Sequence, residues 1–168
     1  MKLTAKQTKI VIALAALSLI AAGAYYAVVL IRRKKAWVSW FIAEMQKSTT
    51  ANKNGLILNP TAEQLENLKQ LAENVLYKAN KVAKGWDFHS GFRSPEVNNL
   101  VNGVFNSQHL KGEAVDVVFS NTVEVFNYIK ENLDFDQLIW EGGTKQAPKW
   151  LHISYRKDNN RKQVIYNI

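Results

Sequence analysis

The 168-residue chain has no cysteine, only three histidines and three prolines, and no acidic residue before Glu44. Each shortage excludes something. Without thiols there is neither a disulfide nor a thiolate metal site, so any zinc must be held by histidine and carboxylate. The acid-free amino terminus also accounts for the charge. Lys2, Lys6, Lys9, Arg32, Arg33, Lys34 and Lys35 are seven of the 22 basic residues, and residues 36 to 168 carry 15 positive against 14 negative charges. All but one of the eight net positive charges therefore belong to the first 35 positions, and the near-neutral remainder lacks the footprint of a nucleic-acid binder. At this length and 47% hydrophobic content the chain has material for one compact domain and some extra segments.

Between the basic clusters lies "IVIALAALSLIAAGAYYAVVLI", Ile10 to Ile31, without a charge. As a helix rising about 1.5 Å per residue it matches the roughly 30 Å of bilayer hydrocarbon. It reads as one transmembrane helix (10–31) behind a basic tail (1–9), which puts a lipid bilayer among the partners. A cleaved secretory signal is the alternative, with Ala22-Gly23-Ala24 as its small-residue site; the apolar run continuing from Tyr25 to Ile31 favours the anchor. Lysines before the span and "RRKK" after it nearly balance, so flanking charge does not orient it.

Residues 32–55 read as a juxtamembrane segment and linker. In "AWVSWFIAEM" (36–45), Trp37, Trp40 and Phe41 recur at helical spacing, which suits a helix at the lipid interface and equally one packed on the folded domain. "QKSTTANKNG" (46–55) is polar, and the domain is expected to run over 56–168. Thr61 and Gln64 have capping-box spacing ahead of an apolar stripe from Leu65 to Ala79, and Ser94-Pro95 opens a short helix that ends before Gly103. "TVEVFNYIKENL" (122–133) has helical period, whereas "WDFHS", "AVDVVF", "DQLIWE", "WLHISY" and "KQVIYN" read as strands, the last two joined by a "KDNN" turn. The fold class is therefore α+β with a largely antiparallel sheet.

Chemistry concentrates in "SQHLKGEAVD" (107–116). Alternation along 114–119 puts Asp116 in an apolar strand, where a buried carboxylate requires a partner such as a cation. Gly112 lets the chain turn so that His109 folds back over it. In "WLHISY", His152 shares a face with Trp150 and Ser154, away from the core face. Two imidazoles and one carboxylate with an open fourth position make a catalytic type of zinc site; an ordinary hydrogen-bonded His–Asp pair fits the same pattern. A Ser107-His109-Asp116 triad is disfavoured, since residues two apart on one loop poorly present a nucleophile to its base. His89 reads as a strand residue.

Ser107-x-His109-x-x-Gly112-x-Ala114-x-Asp116, preceded by "SGFRSPEVN" and followed by "WLHIS", resembles the zinc D-Ala-D-Ala carboxypeptidase family of peptidoglycan peptidases, whose fold is shared by the hedgehog domain. The resemblance extends from about Leu58 to about Val164. It implies that His109, Asp116 and His152 bind Zn2+, that Arg93 in "GFRS" holds a substrate carbonyl or carboxylate with Ser107 nearby, and that the substrates are peptidoglycan stem peptides. Members of the family place a glutamate three residues before the last histidine as general base. Lys149 stands there in this chain. Glu141, at the end of "DQLIWE", is the substitute, with an exposed hairpin carboxylate as its plain alternative and Asp136 as the next candidate. The expectation is a membrane-anchored zinc peptidase acting on the cell-wall side, with carboxypeptidase and endopeptidase activity both open. A zinc-stabilised binding module that lacks the base is the alternative, and a bacteriophage lysis or virion membrane component would accommodate either.

Overall fold

A computed structural model describes residues 4–168. The chain forms two compact units, one ending at Trp37 and the other spanning Val38–Ile168. The helix α1, Ala5–Met45, contains the whole apolar run, and every side chain from 5 to 27 on it is exposed. It is long and apolar enough to cross a membrane. Of the expected basic tail, residues 5–9 are already helical, while Met1, Lys2 and Leu3 lie outside the described residues.

The second unit starts earlier than Leu56. Val38, Phe41 and Met45 at the end of α1 are buried, and Phe41 meets Phe88 edge-on with ring centroids 5.7 Å apart. The expected linker is also structured: α2, Thr49–Lys53, is capped by the Ser48 side chain and buries Ala51. Of the two readings of 36–45, packing on the folded domain therefore holds for this helix end. Deleting a fully buried phenylalanine side chain loses its transfer free energy and leaves a cavity. Phe41→Ala is expected to lower stability by about 3–5 kcal/mol in chemical denaturation, and a chain begun at Leu56 to be markedly less stable than one begun at Ala36.

Helix α3, Ala62–Leu71, opens with the full Thr61–Gln64 capping box and runs on through a wider turn, Ala72–Leu76, into α4, Tyr77–Ala79. Its stripe of Leu68, Leu71, Ala72, Val75, Leu76 and Ala79 is buried. The strands are β1 (Trp86–Ser90), β2 (Ala114–Phe119), β3 (Gln137–Glu141), β4 (Trp150–Ser154) and β5 (Gln163–Asn167). Helix α5, Pro95–Leu100, lies between β1 and β2, capped by Ser94 with Pro95 in the first turn, and α6, Thr122–Asn132, lies between β2 and β3.

The sheet order is β1-β2-β4-β3-β5. Its first four strands pair antiparallel, but β5 pairs parallel with β3, so the sheet is mixed and not largely antiparallel. The expected hairpin between β4 and β5 does not form because β2 and β3 already occupy both edges of β4. The connecting loop, held by Asn160 bonding both the Arg156 N–H and its carbonyl, carries the chain to the free edge of β3. Leu151 and Ile153 face the core, and the register leaves Ser90, Asp116, His152 and Ile139 in a row across β1, β2, β4 and β3 on the other face.

Candidate metal centre

That row explains how distant residues meet. Asp116 and His152 are direct cross-strand partners, so their side chains rise next to each other from one face of the sheet. His109 arrives from a one-turn 3-10 helix, Gln108–Lys111, whose His109 N–H donates to the Ser107 hydroxyl. Gly112 ends this turn with φ of 70°, and a Cβ there would run into the Gln64 carbonyl, so both the left-handed backbone and the close approach of α3 require glycine. On the far side, Gly91 lies against the Met45 backbone, where a Cβ would sit 2.7 Å from the Met45 Cα, and Phe92 N–H donates to the Met45 carbonyl at 2.9 Å. The end of α1 thus fixes the loop that carries the Gly91 carbonyl and Arg93.

One ligating atom each from His109, Asp116 and His152 lie within 4.8 Å of one another. His109 Nε2 is 3.2 Å and His152 Nδ1 3.0 Å from the same Asp116 Oδ1. The other nitrogen of His109, Nδ1, faces the Gly91 carbonyl at 2.8 Å. A carbonyl only accepts, so Nδ1 carries the proton. Burial pushes this imidazole towards its neutral form, which leaves a lone pair on Nε2 aimed at a carboxylate oxygen. Burial alone would raise the Asp116 carboxyl; its contacts with His109 and His152 outweigh that and hold it well below its ordinary range. A lone pair on His109 Nε2 that faces an anionic oxygen at 3.2 Å calls for a cation between them. Two imidazole nitrogens and a carboxylate are a donor set that suits zinc, and a metal-ligating histidine usually donates its other N–H to a carbonyl or carboxylate, as His109 does to Gly91.

Arg93 completes the centre from the side. Its guanidinium donates to Asp116 Oδ2 at 2.7 Å and to the Ser90 hydroxyl at 2.8 Å, and its backbone N–H donates to the His109 carbonyl. Its observed partner is thus the Asp116 carboxylate, which it orients, while it also lines the two cavities that open beside the centre, of about 270 and 590 Å³. Ser107 is buried, its hydroxyl spent on the His109 backbone and not on the His109 ring, which rules out the triad geometry. His89 sits apart in the smaller cavity, 3.6 Å from Asp87.

The larger cavity is lined by His109, Asp116, His152 and Arg93, and also by Val101, Val104, Trp150 and Glu141. Among its described lining residues only Asp116 and Glu141 are carboxylates. Glu141 pairs with Trp150 across β3 and β4 and accepts a hydrogen bond from Asn167 at 2.8 Å. Asp136 is different. Its side chain is fully buried, Arg161 donates to both its oxygens at 2.8 and 2.6 Å, and Gln108 donates to Oδ2 at 2.7 Å. Burial would raise this carboxyl, but those bonds and the charge of Arg156 hold it below its ordinary value. With both oxygens committed it is no base. Sequence reading missed the roles of Gln108 and Arg161; the one local signal was a charged residue, Asp136, at the mouth of an apolar strand.

The family model for peptidase M15 matches residues 39–154, from the buried end of α1 to the last residue of β4. The chain belongs to the peptidase M15 family. No curated protein matches it. The M15 match includes His109, Asp116 and His152 together with Val38's neighbours on α1, so the family's region also begins before Leu56. M15 membership makes this a metallopeptidase-type domain, and it contains a His–Asp–His cluster that could hold a metal ion.

Proposed function

We propose that the protein is a membrane-anchored zinc peptidase that hydrolyses peptide bonds in bacterial peptidoglycan stem peptides. The observation that carries the reading is the convergence of His109 Nε2, His152 Nδ1 and Asp116 Oδ1 beside an open cavity whose other carboxylate is Glu141. His109, Asp116 and His152 would hold the zinc. When bound, zinc supplies Lewis acidity, polarising a peptide carbonyl and making water a competent nucleophile near neutral pH. Glu141 accepts the proton of the attacking water at its carboxylate and returns it to the amine nitrogen as the C–N bond breaks; the second water proton follows from the new carboxyl group, so the products leave as a carboxylate and an ammonium. Arg93 uses two of its donors on Asp116 and Ser90, and its remaining N–H groups suit a substrate carbonyl or carboxylate, which a guanidinium binds in its plane. The register supports Glu141 in place of the usual base: it pairs with Trp150, two residues before His152, so alternation puts it on the face that carries His152, and it lines the same cavity.

The exposed apolar stretch of α1 supports the anchor, and a wall-cleaving role requires the domain on the cell-wall side. The test is incubation of the full chain in detergent with purified peptidoglycan fragments, read by mass spectrometry. Cleavage that stops with chelator and returns with zinc is expected. A chain that holds zinc yet cleaves no fragment would favour the binding module instead.

A further inference from the structure

An imidazole binds a metal through one nitrogen only if its proton is kept on the other, and His109 has a backbone carbonyl for that purpose. His152 has none. Its Nε2 instead faces the side-chain carbonyl of Gln108 at 3.4 Å, while Nδ1 faces Asp116. Gln108 is buried, and its backbone carbonyl accepts from Glu113 and Gly112, so its main chain is fixed. The orientation of its amide is fixed as well. Gln108 Nε2 donates to Asp136 Oδ2 at 2.7 Å, and turning the amide over would set a carbonyl oxygen against that carboxylate and an NH2 group towards His152. Asp136 is in turn held as a carboxylate by the two-point contact of Arg161, with Arg156 Nε 3.4 Å away.

We propose that Gln108 is a positioning residue for the metal centre: its carbonyl accepts the Nε2–H of His152 and so presents the Nδ1 lone pair to the metal, with Asp136 and Arg161 locking the amide that does this. This deepens the zinc-site reading above and rests on it. Arg161 and Asp136 thereby act on the centre without touching it. The same turn of chain carries one ligand, His109, and the residue that orients another, His152, so a metal lost from one side loosens the other.

With only three histidines, selective 15N-histidine labelling of the full chain in detergent micelles resolves each ring. In the zinc-loaded protein, His152 is expected to be bound through Nδ1 with an observable, exchange-protected Nε2–H, and His109 through Nε2. Gln108→Met keeps the volume and removes the acceptor; zinc affinity measured by chelator competition should fall about 10–100-fold, the usual cost of losing the hydrogen-bond partner of a ligating histidine, and the Nε2–H protection should vanish while His109 remains bound through Nε2. Gln108→Glu restores an acceptor oxygen and should lie between the two. Binding of His152 through Nε2 in the unmodified chain overturns the proposal, whether or not Gln108→Met folds. So does Gln108→Met with unchanged zinc affinity and a protected Nε2–H. Absence of zinc-induced shifts at both His109 and His152 overturns the metal centre itself, and this proposal with it.

Discussion

Glu141→Gln is expected to lower the rate of stem-peptide cleavage by about 10²–10⁴-fold, the usual worth of a positioned acid or base, with zinc content unchanged. The substitution keeps the shape of the side chain and an oxygen that can accept from Asn167, so β3 and its pairing with β5 are not disturbed. It removes only the ability to take up a proton. Glu141 lies two residues from Ile139, the cross-strand partner of His152, and alternation puts both on the site face. It is not among the three converging ligands, so the metal should stay. Asp136 offers no second candidate, because Arg161 and Gln108 occupy its oxygens. An unchanged rate in Glu141→Gln, measured on the same peptidoglycan fragments, would remove Glu141 from the mechanism.

The second large effect is expected from His152→Ala: loss of stoichiometric zinc and of all chelator-sensitive cleavage, with the fold retained. His152 is the better of the two histidines for this purpose. It keeps some exposure on the open side of the sheet, and its neighbours Leu151 and Ile153 keep the core contacts of β4. His109 is more deeply enclosed and bonded to Gly91, so its removal would also disturb the loop between β1 and α5. Metal analysis and near-ultraviolet circular dichroism on the same sample separate loss of metal from loss of structure. Retention of one zinc per chain in His152→Ala would mean that the ion sits elsewhere.

What the sequence made legible follows from the reach of its local patterns. Period-2 alternation alone put Asp116 on one face of β2 and His152 on one face of β4; the antiparallel register then made them neighbours. Gly112 announced the turn that returns His109, and the glycine is indeed left-handed. The capping box at Thr61 and the cap at Ser94 are short-range hydrogen bonds, and both are present. The parallel placement of β5 was not legible, because it depends on which sheet edge is free once β4 has been inserted between β2 and β3. Nor was the burial of Val38, Phe41, Met45 and Ala51, since a few apolar residues behind a basic cluster serve a lipid interface and a protein core equally well. The Arg161–Asp136–Gln108 chain joins residues 25 and 28 positions apart, and no local periodicity reports such pairs.

The most direct test of the account is the metal content of the purified full chain. One zinc per chain, with two imidazole nitrogens among its neighbours by X-ray absorption and release on titration with chelator, is the predicted result. A folded chain that takes up no stoichiometric zinc would contradict it.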